Sequence, residues 1–147
     1  MYKRILVPVD ASYLTERAIH ASIELARQLG AAITAFVAEP VMPPPSGQRP
    51  RAWLEADARE HDAMTEAHAR QVLARFEARA RDAGIEFKGV YEQVPRVDQA
   101  IIDSAEACGC DLIVMVTHGR GAFGEFLFGS HTKAVLAGSS LPLLVLH

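Results

Sequence analysis

Four short runs with almost no polar residues constrain this chain more than anything else in it: "RILVPV" (4–9), "AITAFVA" (32–38), "DLIVMV" (111–116) and "PLLVLH" (142–147). Runs so brief and so apolar suit strands buried on both faces, as in a parallel sheet. A fifth run, "IEFKGVYE" (85–92), mixes apolar Ile85, Phe87 and Tyr91 with charged Glu86 and Lys88. That alternation predicts one wet face and a place at a sheet edge. Helical patterns separate the strands. "LTERAIHASIELARQLG" carries Ala18, Ile19, Ile23, Ala26 and Leu29 at helical spacing and stops at Gly30. "VDQAIIDSAEACG" repeats the design with Ala100, Ile101, Ala105 and Cys108 before Gly109. A longer stretch, from about 51 to 83, places Val72, Leu73, Phe76 and Ala80 helically, while its opening "RAWLEADAREHD" is more polar. The proline-rich "EPVMPPPSGQRP" (39–50) reads as neither helix nor strand, but as an excursion after the second strand.

Alternating strands and helices imply right-handed crossovers and a parallel sheet covered on both faces. The expected fold is therefore α/β, three-layered and Rossmann-like. It has five parallel strands in the order 3-2-1-4-5, in a single domain over residues 1–147. Ligands of such sheets bind beyond the carboxyl ends of the strands, where the strand order reverses. Two stretches must meet there: "VPVDAS" after the first strand and "VTHGRG" after the fourth.

Several classes are disfavoured by composition. The net charge of −3 has no basic block behind it, which argues against nucleic acid as a partner. No apolar run approaches the roughly 20 residues that cross a bilayer, so no membrane role is expected. "MYKRILVPVD" has no small-residue cleavage site, and a secretory signal is not expected. Cys108 and Cys110 stand two apart, whereas a metal site needs more ligands and a redox pair normally reads C-x-x-C. They read as two small buried or half-buried thiols, which fits a reducing cytoplasm. His118 and His131 have no evident third partner for a metal, and His20, His61 and His68 read as surface positions on helices.

"VTHGRGAFGEFLFGSH" (116–131) is where chemistry is expected. As a Walker A loop it fails, because Ser130 stands where the phosphate-neutralising lysine must be. As a dinucleotide fingerprint, Gly119, Gly121 and Gly124 match the spacing but not the context, which requires the first strand and a helix directly after it. Two anchors read better. Gly119, just past a strand end, lets backbone approach a ligand closely. Gly129 and Ser130 open the helix "SHTKAVLAG", whose N-terminus offers unpaired N–H groups and positive dipole charge to an anion. The same residues also suit a turn glycine and a helix cap, and both readings stand on physical grounds.

The segments "RILVPVDAS", "DLIVMVTHGRG", "FLFGSHTKAVL" and "LPLLVLH" resemble the universal stress protein family, over nearly the whole chain. ATP-binding members of that family carry G-x-x-G, nine residues, then G-[ST]. Here Gly119, nine intervening residues and Gly129-Ser130 fit, and Val116 takes the place of the first glycine. The resemblance implies that ATP or AMP binds with Mg2+. Asp10 would lie near the phosphates or the nucleotide-bound Mg2+, with Pro8 and Val9 beside the nucleotide and Val37 lining the adenine pocket. Met115 and Val116 would border adenine and ribose, Gly119 and Arg120 would meet the phosphates, and Gly129, Ser130 and His131 would close over them.

A receiver domain would need more strand-end acids than Asp10, and neither an S-G-G motif nor a hydroxyl-rich loop follows the first strand. The expected protein is a cytoplasmic stress-response protein that holds an adenine nucleotide as ligand or switch, and at most a very slow ATPase. The alternative is a dimeric interaction module that binds no nucleotide because of Val116. In either case "LPLLVLH", apolar from Leu143 to Leu146, would form an edge that needs cover. The resemblance implies a homodimer through that strand.

Overall fold

A computed structural model describes residues 1–10, 14–41, 50–117 and 130–147. The elements run in strict alternation: β1 (Arg4–Pro8), α1 (Leu14–Leu29), β2 (Ala32–Pro40), α2 (Arg51–Asp82), β3 (Phe87–Val94), α3 (Val97–Ala107), β4 (Leu112–Val116), α4 (Ser130–Gly138) and β5 (Leu143–Leu146). All four strand pairings are parallel, and the sheet order is β3-β2-β1-β4-β5, as expected.

Alternation along the strands divides the core in two. Ile5, Val7, Ile33, Ala35, Leu112 and Val114 face one way, against Ala18, Ile19 and Ala26 of α1 and Val72 and Phe76 of α2. Leu6, Phe36, Ile113 and Met115 face the other way, against Ile101, Ile102 and Ala105 of α3 and Val135 of α4. Helices α1 and α2 therefore share one face, and α3 and α4 the other. The first pair is also clamped electrostatically. Glu16 of α1 accepts Arg75 at 3.0 Å and Arg79 at 2.7 Å, both from α2. Helices α1, α2 and α3 are each followed by a glycine in the left-handed region, Gly30, Gly84 and Gly109, which turns the chain directly into the next strand.

One local expectation is corrected. Glu39 and Pro40 belong to β2, paired with Gln93 and Val94 of β3, rather than to the proline-rich excursion. Beyond Phe36, β1 has ended, so β2 has a neighbour on one side only. The Val41 N–H donates to the Val94 carbonyl, so the ring nitrogen of Pro40 faces the vacated side, where a strand tolerates proline. The polar stretch "RAWLEADAREHD" is helical, continuous with the rest of α2 from Arg51. That helix has 32 residues, roughly 48 Å at 1.5 Å per residue. Its buried side chains, Ala69, Val72, Leu73, Phe76 and Ala80, all lie in the second half. The first half rests on local pairs such as Arg51–Glu55 at 2.9 Å instead of on a core.

This division predicts a contrast in stability. Phe36→Ala, at a wholly buried ring, should lower the unfolding free energy by about 3–5 kcal/mol in a urea titration. Trp53→Ala, at a ring 66% exposed on the outer half of α2, should change it by less than about 0.5 kcal/mol.

Candidate functional site

The order of the sheet reverses between β1 and β4, which pair Ile5 with Leu112 and Leu6 with Ile113. Their carboxyl ends lie side by side, and sheets of this class take their ligands beyond such a reversal. Pro8 ends β1 half-buried, Val9 is buried, and Asp10 emerges into solvent. Val9 is held to the next strand by its N–H, which donates to the Phe36 carbonyl at 2.9 Å. The Asp10 carbonyl accepts the hydroxyl of Thr15, a buried residue in the first turn of α1. The loop end is thereby tied to the helix that follows it.

Val37 is buried on β2 with Val9 in the cluster beneath α1 and α2, and Met115 is buried on β4 in the opposite cluster. Val116, paired with Leu146, packs half-buried toward the α1–α2 side. Its branched side chain is engaged with the sheet's own core. Ser130 and His131 stand exposed in the first turn of α4. The structure thus brings Pro8, Val9, Asp10, Met115 and Val116 to one end of neighbouring strands, with Val37 on the adjoining β2. Gly119, Arg120 and Gly129, together with His118, lie outside the described residues. His20, His61 and His68 are exposed, as expected. Among the described residues, no group of three or more His, Cys, Asp or Glu side chains is placed to hold a metal ion.

Sequence reasoning missed Thr117. Its N–H donates to the Leu146 carbonyl at 2.8 Å, which extends β4 by one residue. The side chain is 7% exposed, and its hydroxyl has no hydrogen-bond partner among the described residues. By alternation it shares the side of Ile113 and Met115, the side covered by α3 and α4. A buried hydroxyl left unpaired costs about 1–3 kcal/mol, and such groups are rare without a role. The signal in the sequence was a single hydroxyl closing an otherwise apolar run, "LIVMVT".

A groove at the opposite, amino end of the strands is lined by Lys3, Arg4, Arg27, Gly30, Gly84 and Glu86. Arg4 and Glu86 pair across it at 2.6 Å, and that bond raises the Arg4 pKa above its ordinary value.

The fold is a doubly wound α/β domain of the Rossmann-like class, whose strand order reverses between β1 and β4. The chain belongs to the universal stress protein family, whose profile matches residues 1–147. It is 25% identical over 146 residues to a universal stress protein of Methanocaldococcus jannaschii, covering 99% of this chain and 82% of that protein. The crystal structure of the universal stress protein UspA from Lactobacillus plantarum superposes with a TM-score of 0.75 at 24% identity, covering 99% of this chain and 98% of the other. A universal stress protein from Archaeoglobus fulgidus, solved in complex with dAMP, gives 0.64 at 21% identity, with 99% and 98% covered. Further relatives of the same fold were solved with AMP, from Arabidopsis thaliana, and with cAMP.

The unpaired hydroxyl makes a prediction about the ligand-free protein. Thr117→Val replaces it with a methyl of similar volume and should raise the unfolding free energy by about 1 kcal/mol in urea titration. A fall of that size would show that the hydroxyl has a partner in the ligand-free state.

Proposed function

We propose that this chain binds an adenine nucleotide in the crevice between β1 and β4 and uses it as a ligand or switch. The observation that carries this reading is the buried Thr117 hydroxyl at the end of β4, without a partner among the described residues and next to the chain ends that carry Asp10 and Val116. The relatives of the same fold solved with dAMP, AMP and cAMP support adenine as the base. In this reading Val9 and Val37 offer apolar surface to the base, and Pro8, Met115 and Val116 border the base and ribose. The phosphates take the backbone of Gly119, the Arg120 guanidinium and the N-terminus of α4, with Gly129, Ser130 and His131 around it. Asp10 faces the Mg2+ that accompanies ATP, acting through the nucleotide rather than as one of a ring of ligands. Mg2+ neutralises phosphate charge and keeps most of its own water. The engagement of Val116 with the core keeps its side chain from filling the space the missing glycine would leave. In this reading any hydrolysis is slow. The role is that of a stress-response protein working in the cytoplasm.

The same reading includes a homodimer. Every residue of β5 is only half-buried, and Leu136 of the adjoining α4 is 61% exposed. An apolar edge strand in that state pairs with a second copy, and a two-fold pairing closes the assembly.

Calorimetric titration with Mg-ATP should give a micromolar Kd for the natural protein. Gly129→Val should weaken it at least about tenfold, equivalent to about 1.4 kcal/mol. Binding that begins only after Val116→Gly would show that the valine switches the loop off. Binding by neither would favour a dimeric interaction module without a nucleotide. The assembly is read separately: sedimentation should give a dimer, and Val145→Glu should leave a folded monomer.

A further inference from the structure

The two cysteines lie at the amino end of β4, remote from the crevice. Cys108 follows the last residue of α3, and Cys110 precedes β4. Gly109 between them has φ 65°. A helical turn of either hand at the middle residue shortens the span between its flanking Cα atoms into the range, roughly 4.4–6.8 Å, that a disulfide bridges. Both side chains also enter the same apolar cluster beneath α3, Cys110 buried and Cys108 half-buried against it.

The two thiols have different surroundings. Lys88 reaches across from β3 and places its ammonium 3.6 Å from the Cys108 sulfur. Thr34, the β2 partner of Lys88, is wholly buried. It lies beside the Cys110 thiol. Burial pushes that thiol up, more strongly than Thr34 and Arg4 pull it down, while Cys108 and Asp111 add to the rise. Cys108 is thus the accessible, cation-paired sulfur, and Cys110 is the protected thiol beside it.

We propose that Cys108 and Cys110 form a reversible thiol–disulfide pair oxidised by small hydroperoxides, with Cys108 attacking and Cys110 resolving. The Cys108 thiolate attacks one peroxide oxygen and the O–O bond breaks. The departing oxygen takes a proton and leaves as water or alcohol, and Cys108 becomes a sulfenic acid. The Cys110 sulfur then attacks the Cys108 sulfur. Its proton leaves with the sulfenic hydroxyl as a second water, and the S–S bond closes. Two thiols are oxidised and one peroxide is reduced. A dithiol reductant reverses the change by exchange. Half-burial of Cys108 favours a small hydroperoxide over a bulky disulfide as the oxidant. Val37 and Met115, with the rest of the crevice, play no part in this chemistry.

The test uses the full chain, reduced and then treated with one equivalent of hydrogen peroxide. Tryptic cleavage at Arg96 and Arg120 leaves both cysteines in one peptide, Val97–Arg120. That peptide should become lighter by two hydrogen atoms and recover its mass with dithiothreitol. Cys110→Ser should instead leave a sulfenic acid on Cys108, trapped by dimedone. Lys88→Gln should slow oxidation several-fold, with its melting curve checked against the natural protein. Disulfides between chains in place of the internal bond would overturn the proposal. So would oxidation of Lys88→Gln at the natural rate, or of Cys110 at that rate in Cys108→Ser.

Discussion

The burial of β1 is the constraint on which the rest depends. Ile5, Leu6 and Val7 are wholly inaccessible, and the strand lies between β2 and β4 with helices on both faces. Its alternate side chains feed both halves of the core, Ile5 and Val7 on one side and Leu6 on the other. Its pairing with β4 joins segments about a hundred residues apart, which entropy disfavours until both faces are covered. Asp111 secures that pairing at the amino end. Its carboxylate accepts the backbone N–H groups of Lys3 at 2.8 Å and Arg4 at 3.1 Å, and its own N–H donates to the Arg4 carbonyl at 2.9 Å. With the register fixed there, Pro8, Val9 and Asp10 emerge beside Val116 and Thr117 at the other end.

The fold was largely legible in the sequence because strands buried on both faces read as uninterrupted apolar runs. β4 and β5 fall within the expected runs to a residue at each end. The edge position of β3 followed from the alternation of Glu86, Phe87 and Lys88 with the residues around them. Where reading failed, the governing contact was distant. Pro40 looks like a strand breaker until β1 is known to end four residues earlier in the register. The first half of α2 is largely exposed, which is why its sequence is more polar than that of the second half.

The site was legible to a different degree. Strand ends are marked by local sequence, and Pro8, Val9, Asp10, Met115 and Val116 do converge. Thr117 was missed because an unsatisfied hydroxyl is a property of its surroundings rather than of its spacing. The proximity of Lys88 to Cys108 was hidden for the same reason, since twenty residues and a whole helix separate them in the chain. The two ends of β4 thus carry different chemistry. Its amino end holds a cation-paired thiol and a buried partner, and its carboxyl end holds a buried hydroxyl without a partner among the described residues. One rigid, fully packed strand keeps the two apart.

The central claim is that ligand enters at the carboxyl ends of β1 and β4, and amide NMR during titration with Mg-ATP tests it most directly. The account predicts saturable shifts at Val9, Asp10, Val116, Thr117 and Ser130, with the amides of Arg4, Gly30 and Gly84 at the opposite end unmoved. Shifts concentrated around Arg4, Gly30, Gly84 and Glu86 would contradict it and assign the ligand to the groove at the amino end of the sheet.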